Sequence, residues 1–435
     1  MHNKITGERL IAASEALLIL YQCLPITISL LNSFLIRGLV LVAAMLFISG
    51  LLLLNKWRYL SEFILLFLLT VLFWNTAWRQ TSDSLSYVYY CFASLSFAFG
   101  GAVSYQHARY YTVRRLFILL TAVYLITAIT SIVGLRIYPL AAREMARGST
   151  YDTSLNFETY KTIYRRMNIA GWGQIYGMLF VVPCCLLLWK RKHNALYLTL
   201  LAFVELAIAF SQITFAVILS VLFICAFYLI GRENSFRAVL IIFFAVIVFA
   251  VVLLNLDGIL TLSIDLSDKI GFSFLTDKLG DLRQLLVNNQ VVGDASSRGG
   301  LYAASLRSFV QSPLYGLIFD SNVTPDKIGR HSELFDLLGA LGMIGAAGIL
   351  YSVVSYIRFI WSTGKGCRKE LLIIFFGFLA LFMLNPVFNS PPIFVGAFLY
   401  PVLCVKMCLV KDTEPECIKK LLGILGGKDS VGVQQ

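Results

Sequence analysis

The chain has 435 residues, of which 58% are hydrophobic and 14% are charged, and its mean hydropathy is +0.79. This composition excludes an ordinary soluble domain, a disordered chain and a small disulfide-bonded scaffold. The formal net charge of +12 indicates contact with anionic lipid and not with nucleic acid, because the basic residues flank apolar segments.

Apolar segments of membrane-spanning length recur along the whole chain. A helix needs about 20 mostly apolar residues to cross the hydrocarbon core of a bilayer. The sequence therefore predicts an all-α polytopic membrane protein of about twelve transmembrane helices, or eleven if the runs divided by Ser211 and Gln212 form one helix. All belong to one transmembrane domain over 1–435. The runs are at 11–30, 34–54, 60–78, 86–104, 115–135, 169–189, 194–210, 212–230, 237–256, 333–357, 371–388 and 392–410.

Lysine and arginine are distributed unevenly between the two sides of these predicted spans. Only Arg37 and Arg79 lie in short connections on the side opposite the N-terminus. Because basic residues concentrate in cytoplasmic connections, both termini are predicted to be inside. The inside connections then hold Lys56, Arg58, Arg109, Arg114, Arg115, Lys190, Arg191, Lys192, Arg232, Arg237, Arg358, Lys365, Arg368 and Lys369.

The nine cysteines lie in the apolar runs or in inside segments, and none lies in an outer connection. This placement predicts small packing residues, with no disulfide bonds and no zinc site. Two acids, Glu15 and Glu205, lie within predicted spans, where ionisable residues are functional candidates. Glu15 is close enough to its helix end to reach the inner interface, whereas the sequence offers no partner for Glu205.

Two outer segments, 136–168 and 257–332, are much longer than the other connections and are predicted to contain short helices. The inside connections are too short to fold a nucleotide-binding domain. Any chemistry is therefore expected on the outer face of the membrane.

The first outer segment is rich in arginine. Pro139 and Gly148 can begin and end a short helix, on which Arg143 and Arg147 share one face. Two guanidinium groups on one face suit a phosphate or pyrophosphate, and Arg165 and Arg166 follow in the same segment. The alternative is that these arginines contact lipid headgroups or pair with Glu144 and Glu158.

The second outer segment contains a predicted helix at 298–311. On this helix Arg298, Tyr302 and Ser305 share one face. Arg307 comes nine residues after Arg298 and points the opposite way, since successive residues turn by about 100°. Arg298 is therefore the preferred ligand-binding residue of this helix.

The same segment ends with Arg330 and His331, directly before an apolar helix. Ser332 is the expected N-cap of that helix, and Glu333 and Asp336 lie in its first turn, where acids suit the helix dipole. A helix N-terminus disfavours imidazolium, so His331 is expected to be neutral and available as a base. Of the four histidines, His331 alone is predicted to face out.

Several stretches resemble the bacterial O-antigen polymerase and ligase superfamily. They are Ser297-Arg298-Gly299-Gly300-Leu301-Tyr302, Ser312-Pro313-Leu314-Tyr315-Gly316, His331-Ser332-Glu333 and Gly342-Met343-Ile344-Gly345. The family pattern is an arginine, a Pro-Leu-x-Gly element, a histidine at the end of the loop, and Gly-[Leu/Ile/Met]-Ile-Gly in the next helix. Upstream, Tyr164-Arg165-Arg166-Met167-Asn168-Ile169-Ala170-Gly171 is similar to the segment entering the mid-chain helix of capsular repeat-unit polymerases.

The resemblance implies a Wzy-type polysaccharide repeat-unit polymerase of the bacterial plasma membrane. Such a glycosyltransferase moves a growing glycan from an undecaprenyl-pyrophosphate carrier to the non-reducing end of another lipid-linked repeat unit, making capsule, O-antigen or exopolysaccharide. The resemblance further implies a metal-independent reaction without a cofactor, alongside a chain-length regulator and a flippase.

Residue roles follow from the same resemblance. His331 is expected to deprotonate or orient the acceptor hydroxyl. The donor pyrophosphate is expected to be held as a leaving group by Arg298, Arg165 or Arg166, and Arg147. Arg143, Arg330 and Glu333 complete the predicted substrate-binding set, and Glu333 directly after His331-Ser332 favours a polymerase over a ligase.

Three other functions stay open at this point. A lipid-linked glycan flippase is the main alternative, although transporters usually contain repeats and broken helices, and Asn385-Pro386 to Pro391-Pro392 is predicted to be an outer turn. An O-antigen-type ligase would use the same chemistry on a different acceptor. A pair of carboxylates for hydrolysis among the aspartates of 257–332 also stays open.

Overall fold

The computed structural model describes residues 2–77, 84–148, 156–230, 256–271, 294–324, 326–363 and 366–409, with residues 276–277, 279–280 and 283–284. Its regular structure within these ranges is helical, as predicted. The first helices are α1 His2–Cys23, α2 Pro25–Leu30, α3 Ser33–Leu53, α4 Trp57–Ala77, α5 Ser84–His107, α6 Tyr110–Ile137, α7 Ala141–Arg147, α8 Phe157–Arg166 and α9 Trp172–Leu179. They are followed by α10 Val181–Lys192, α11 Ala195–Phe210, α12 Thr214–Ile230, α13 Leu256–Ile270, α14 Asp294–Gln311, α15 Glu333–Thr363, α16 Arg368–Leu384, α17 Pro391–Phe394, a π-helical turn Val395–Leu399 and α18 Tyr400–Leu409.

Apolar helices of spanning length make the chain a multi-pass membrane protein. Six described segments are long and apolar enough to cross a bilayer, namely Phe34–Leu53, Trp57–Ala77, Tyr110–Ile137, Trp172–Lys192, Glu333–Ser355 and Pro391–Cys408. Shorter apolar helices are Ala195–Phe210, Thr214–Leu229 and Glu370–Leu384. The predicted span at 237–256 lies almost entirely outside the described residues.

The first predicted span, 11–30, is wrong as a single helix. The helix α1 begins at His2 and ends at Cys23, and Leu24 is extended before α2 begins at Pro25. Pro25 has no amide to donate to the carbonyl of Tyr21, so the helix cannot continue through it. The Thr27 hydroxyl donates to that carbonyl instead, over 3.1 Å.

Polar side chains also join α5 to α18 and to α1. Lys406 donates to the carbonyl oxygens of Ser104 and Ala108 at the C-terminus of α5, where a cation suits the helix dipole. Glu15 is fully buried and accepts a 3.4 Å hydrogen bond from the Ser104 hydroxyl. It therefore lies against α5, and the expectation that it reaches the inner interface is wrong.

The helix α14 contains the predicted helix 298–311 and runs alongside the beginning of α15. The Tyr302 ring lies 5.6 Å from that of Phe335, and the Ser305 hydroxyl donates to Asp336 over 2.6 Å. Later residues of α14 thus lie beside later residues of α15. This parallel packing brings the end of the second outer segment against the entry to a membrane span.

Candidate functional site

The loop that enters α15 is organised by one carboxylate. Asp336 accepts hydrogen bonds from the amide of Ser332 at 3.1 Å, the amide of Arg330 at 3.2 Å and the hydroxyl of Ser305 at 2.6 Å. The hydroxyl of Ser332 accepts from the amide of Phe335 at 3.3 Å, which confirms Ser332 as the N-cap. The loop is therefore held in one shape by the first turn of the helix it precedes.

His331 is exposed at the mouth of this helix. On one side of it, Arg330 adopts the left-handed conformation, with φ of 62°. On the other side, Ser332 is fully buried. Because both neighbours are held by Asp336, the histidine is presented on a fixed backbone, and its ring is accessible to a ligand.

Arg330 serves the fold as well as the site. Its Nε donates to the carbonyl of Ala77, the last residue of α4, over 2.9 Å. Burial lowers the pKa of the Arg330 guanidinium, while Tyr87 and Asp336 act in the opposite direction. The cation faces the negative end of the α4 dipole, which fixes the C-terminal end of α4 beside the loop.

Glu333 is fully buried and fastens α15 to the turn after α16. Its carboxylate accepts a hydrogen bond from the amide of Phe388 at 3.0 Å, and its own amide donates to the backbone carbonyl of Asn385 at 3.3 Å. The segment between α16 and α17 is thus the predicted turn. With these contacts Glu333 supports the loop from behind and does not present its carboxylate to solvent.

Arg165 and Arg166 end α8, whose N-cap is Asn156. Arg166 is exposed, whereas Arg165 is half-buried and interacts electrostatically with Tyr21 of α1. Tyr21 in turn interacts with Tyr90, and Arg330 with Tyr87, one turn away on α5. We call Tyr21, Tyr87, Tyr90, Arg165 and Arg330 the arginine–tyrosine cluster.

Asn168 fixes the end of α8 against the membrane helices. Its side-chain oxygen accepts from the amide of Ile26 at 3.1 Å, and its side-chain nitrogen donates to the Thr130 hydroxyl at 2.9 Å. The Thr130 hydroxyl also contacts the Asn168 carbonyl at 3.0 Å, and the Asn168 amide donates to the Arg165 carbonyl. Arg165 is therefore positioned by a partly buried polar network.

The predicted short helix of the first outer segment is α7, which ends at Gly148 with φ of 73°. Arg143 and Arg147 are one turn apart on it, and Arg143 is partly buried. The Tyr164 hydroxyl donates to the carboxylate of Glu144. Burial raises the pKa of the Tyr164 phenol well above its usual range, and Glu144 adds to this effect. The side chain of Arg147 lies outside the described residues.

On α14, the face assigned to Arg298 packs against the helices. Tyr302, one turn after Arg298, donates to the carbonyl of Leu384 at 3.4 Å, and Ser305 is fully buried. Arg307 is exposed, as its predicted opposite orientation requires. The side chain of Arg298 lies outside the part of the chain that the structure describes.

No motif in the sequence indicates the tyrosines of the arginine–tyrosine cluster. Tyr87, Tyr89 and Tyr90 lie close together near the beginning of a predicted span, a local aromatic density that could have indicated them. Phenol groups supply hydrogen bonds and apolar ring faces, and guanidinium groups bind phosphate oxygens. The arrangement suits a ligand with both hydroxyl groups and negative charge.

No protein-family model, curated protein or solved structure matches this chain.

Proposed function

We propose that the chain is a bacterial membrane glycosyltransferase that polymerises undecaprenyl-pyrophosphate-linked oligosaccharide repeat units into capsule, O-antigen or exopolysaccharide. It would cross the plasma membrane about twelve times, with both termini inside and the reaction on the outer face. The observation that carries the proposal is the exposed His331 beside Arg330, which interacts with Tyr87 of α5, while Arg165 from a distant segment interacts with Tyr21, itself a neighbour of Tyr90 on α5.

The proposed reaction transfers the glycan from one phosphate oxygen to one hydroxyl oxygen. The acceptor hydroxyl attacks the anomeric carbon of the donor, and the bond between that carbon and the pyrophosphate oxygen breaks. His331 takes the proton of the hydroxyl. Arg165 and Arg298 bind the departing pyrophosphate, where cations placed at developing negative charge lower the barrier.

The contact between two of the family-like motifs supports the same proposal. The amide of Met343 donates to the carbonyl of Pro313 at 2.8 Å, and the amide of Ile344 donates to that of Leu314 at 3.3 Å. The Pro-Leu-x-Gly element and the Gly-Met-Ile-Gly element are thus direct neighbours, although they are far apart in the sequence. A pair of motifs that packs together has a structural reason to occur together.

One observation favours a flippase as the second candidate, namely the break in α15 at Gly342. Broken helices hold substrates or ions in many transporters through their freed backbone groups. Here the carbonyl of Ala340 and the amides of Met343 and Ile344 are bonded to residues 313–317. These freed groups are already used within the protein, which weighs against a transport site at the break.

Deletion of the gene separates the candidate functions. A polymerase predicts single lipid-linked repeat units on the outer face of the membrane. A flippase predicts repeat units accumulating on the inner leaflet, and a ligase predicts polymer still attached to its carrier. Profiling labelled lipid-linked oligosaccharides, with and without an impermeant glycosidase, distinguishes the three outcomes, and either of the last two overturns the proposal.

Substitutions test the site within a complemented deletion strain. His331→Ala and Arg298→Ala should abolish long glycan chains while the protein still reaches the membrane. Arg307→Ala is the matched control for Arg298→Ala, since Arg307 is exposed on the opposite face of α14. Full-length polysaccharide from either the His331→Ala or the Arg298→Ala variant would show that the site is assigned incorrectly.

A further inference from the structure

The segment after α14 forms a hairpin against α15. Its exposed surface bears on how the protein meets the bilayer, a question separate from the proposed reaction. From α14 the chain descends along α15, turns at residues 312–317, and returns. On the return, the Ser308 hydroxyl donates to the carbonyl of Lys327 at 2.6 Å. The amide of Gly329 donates to the hydroxyl of Ser305 at 3.0 Å. The returning segment of the chain therefore lies along α14, and the turn at 312–317 is the tip of the hairpin.

The tip reaches along α15 away from the polar entry loop. Pro313 is bonded to Met343, which comes seven residues after Asp336. At 1.5 Å per residue, the tip lies about 10 Å further along the helix than the loop residues held by Asp336. This part of α15 belongs to the segment Glu333–Ser355, which is long and apolar enough to cross a membrane.

The exposed surface of the hairpin around this tip is mostly apolar, although Gln311 is also exposed. Phe319 is 84% exposed and Val310 is 75% exposed, and Leu314 and Tyr315 are each about half exposed, at 49% and 50%. No charged residue occurs between Ser308 and Phe319. The neighbouring surface of α15 is of the same kind, since Met343 is 48% exposed and Ile344 is 58% exposed. The two surfaces are joined by the hydrogen bonds at the break.

The backbone of the tip is also suited to a medium without water. Non-helical backbone survives at membrane depth only where its polar groups are bonded within the protein. The amides of Gly316 and Leu317 donate to Ser312 at 2.8 Å and Ala340 at 2.9 Å. The carbonyls of Pro313 and Leu314 accept from α15, and Pro313 has no amide to satisfy.

Charged residues resume directly after the apolar surface. Asp320 and Lys327 form an ion pair at 2.7 Å, and Asn322 beside them is exposed. We propose that residues 308–319, which include the tip, form a re-entrant hairpin whose exposed apolar side chains contact the acyl chains of the bilayer, with the Asp320–Lys327 pair at headgroup level. Part of the segment predicted to be an outer loop thus lies in the membrane. Its depth is similar to that at which interfacial amphipathic helices are buried.

A fluorescent amino acid sensitive to its environment, introduced genetically at single positions of the full chain in nanodiscs, tests the proposal. The probe is placed at Phe319, at Met343 as the lipid-facing control, and at Asn322 as the polar control. Brominated acyl chains should quench the probe at Phe319 as they do at Met343. Brominated acyl chains should leave the fluorescence of the probe at Asn322 unchanged. Aqueous iodide should quench only the probe at Asn322.

Two results would overturn the proposal. Iodide quenching at Phe319 equal to that at Asn322 would place the tip in water. Resistance to both quenchers at Phe319 would show that protein covers it, as in a contact with a second copy of the chain. Val310 provides a second probe position on the same surface, so the test stands even if the Phe319 variant fails to fold.

Discussion

The amide of Met343 donates to the carbonyl of Pro313 over 2.8 Å, and this bond joins the break in a membrane-spanning helix to the tip of the hairpin beside it. The break exists because Gly342 has φ of 63° and ψ of −168°, a conformation essentially confined to glycine. At this position a Cβ atom would lie 2.4 Å from the carbonyl carbon and oxygen of Leu314.

We therefore expect Gly342→Ala to destabilise the protein by about 3 kcal/mol, from backbone strain together with overpacking against Leu314. The measurement is thermal unfolding in detergent. Gly38→Ala is the control, because Gly38 lies in a helix with open space around it and should gain about 0.5–1 kcal/mol from helix propensity. Equal melting temperatures for Gly342→Ala and the unsubstituted chain would contradict the packing described at the break.

The bond between Ser305 and Asp336 should appear as a coupling energy. In a double-mutant cycle with Ser305→Ala and Asp336→Asn, we expect a coupling of about 1–2 kcal/mol, because the hydroxyl and the carboxylate form a buried bond. Chemical denaturation in mixed micelles measures it. Asp265, exposed on α13, supplies the control: Asp265→Asn should add to Ser305→Ala without coupling. If the effects of Ser305→Ala and Asp336→Asn on the free energy of unfolding simply add, the bond does not contribute to stability.

Substitutions of Asn168 should have graded effects. Asn168→Asp keeps an oxygen for the Ile26 amide and tolerates the left-handed backbone, whose φ is 56°, so we expect a loss of about 1 kcal/mol. Asn168→Ala loses every side-chain bond and is strained, with an expected loss of about 3 kcal/mol. Thermal unfolding measures both. Asn194→Ala, which removes the exposed N-cap of α11, should cost about 1 kcal/mol. The reverse order, with Ala better tolerated than Asp, would contradict the network.

Arg165 and Arg166 are adjacent in sequence but differ in burial, which makes them a matched pair for activity. If the proposed function holds, Arg165→Ala should lower the rate of glycan extension about 100-fold, the scale of removing one charged group from a transition-state site. Arg166→Ala, on an exposed side chain, should change it only a few-fold. Extension of a lipid-pyrophosphate-linked oligosaccharide by membranes containing each variant is the assay. Unchanged extension by Arg165→Ala would remove this residue from the site.

Local signals predicted several parts of the site correctly. The cap at Ser332, the short helix ending at Gly148, and the opposite orientations of Arg307 and Ser305 all follow from the spacing of a few neighbouring residues. Local spacing cannot show what a side chain meets. Glu333 was expected to bind substrate but is buried against Phe388, and Asp336 has three hydrogen-bond partners that only the fold brings together.

By itself, the sequence determined that this protein is an all-α membrane protein, but not where its helices break, as at Leu24 and Gly342. Runs of apolar residues must form helices in a bilayer, because each backbone amide and carbonyl then bonds within its own segment. The tertiary structure alone decided that Arg165 meets Tyr21, that Arg330 meets Tyr87, and that Pro313 lies against Met343. These pairings join residues far apart in the chain, and they depend on close packing between helices whose apolar surfaces look alike in the sequence.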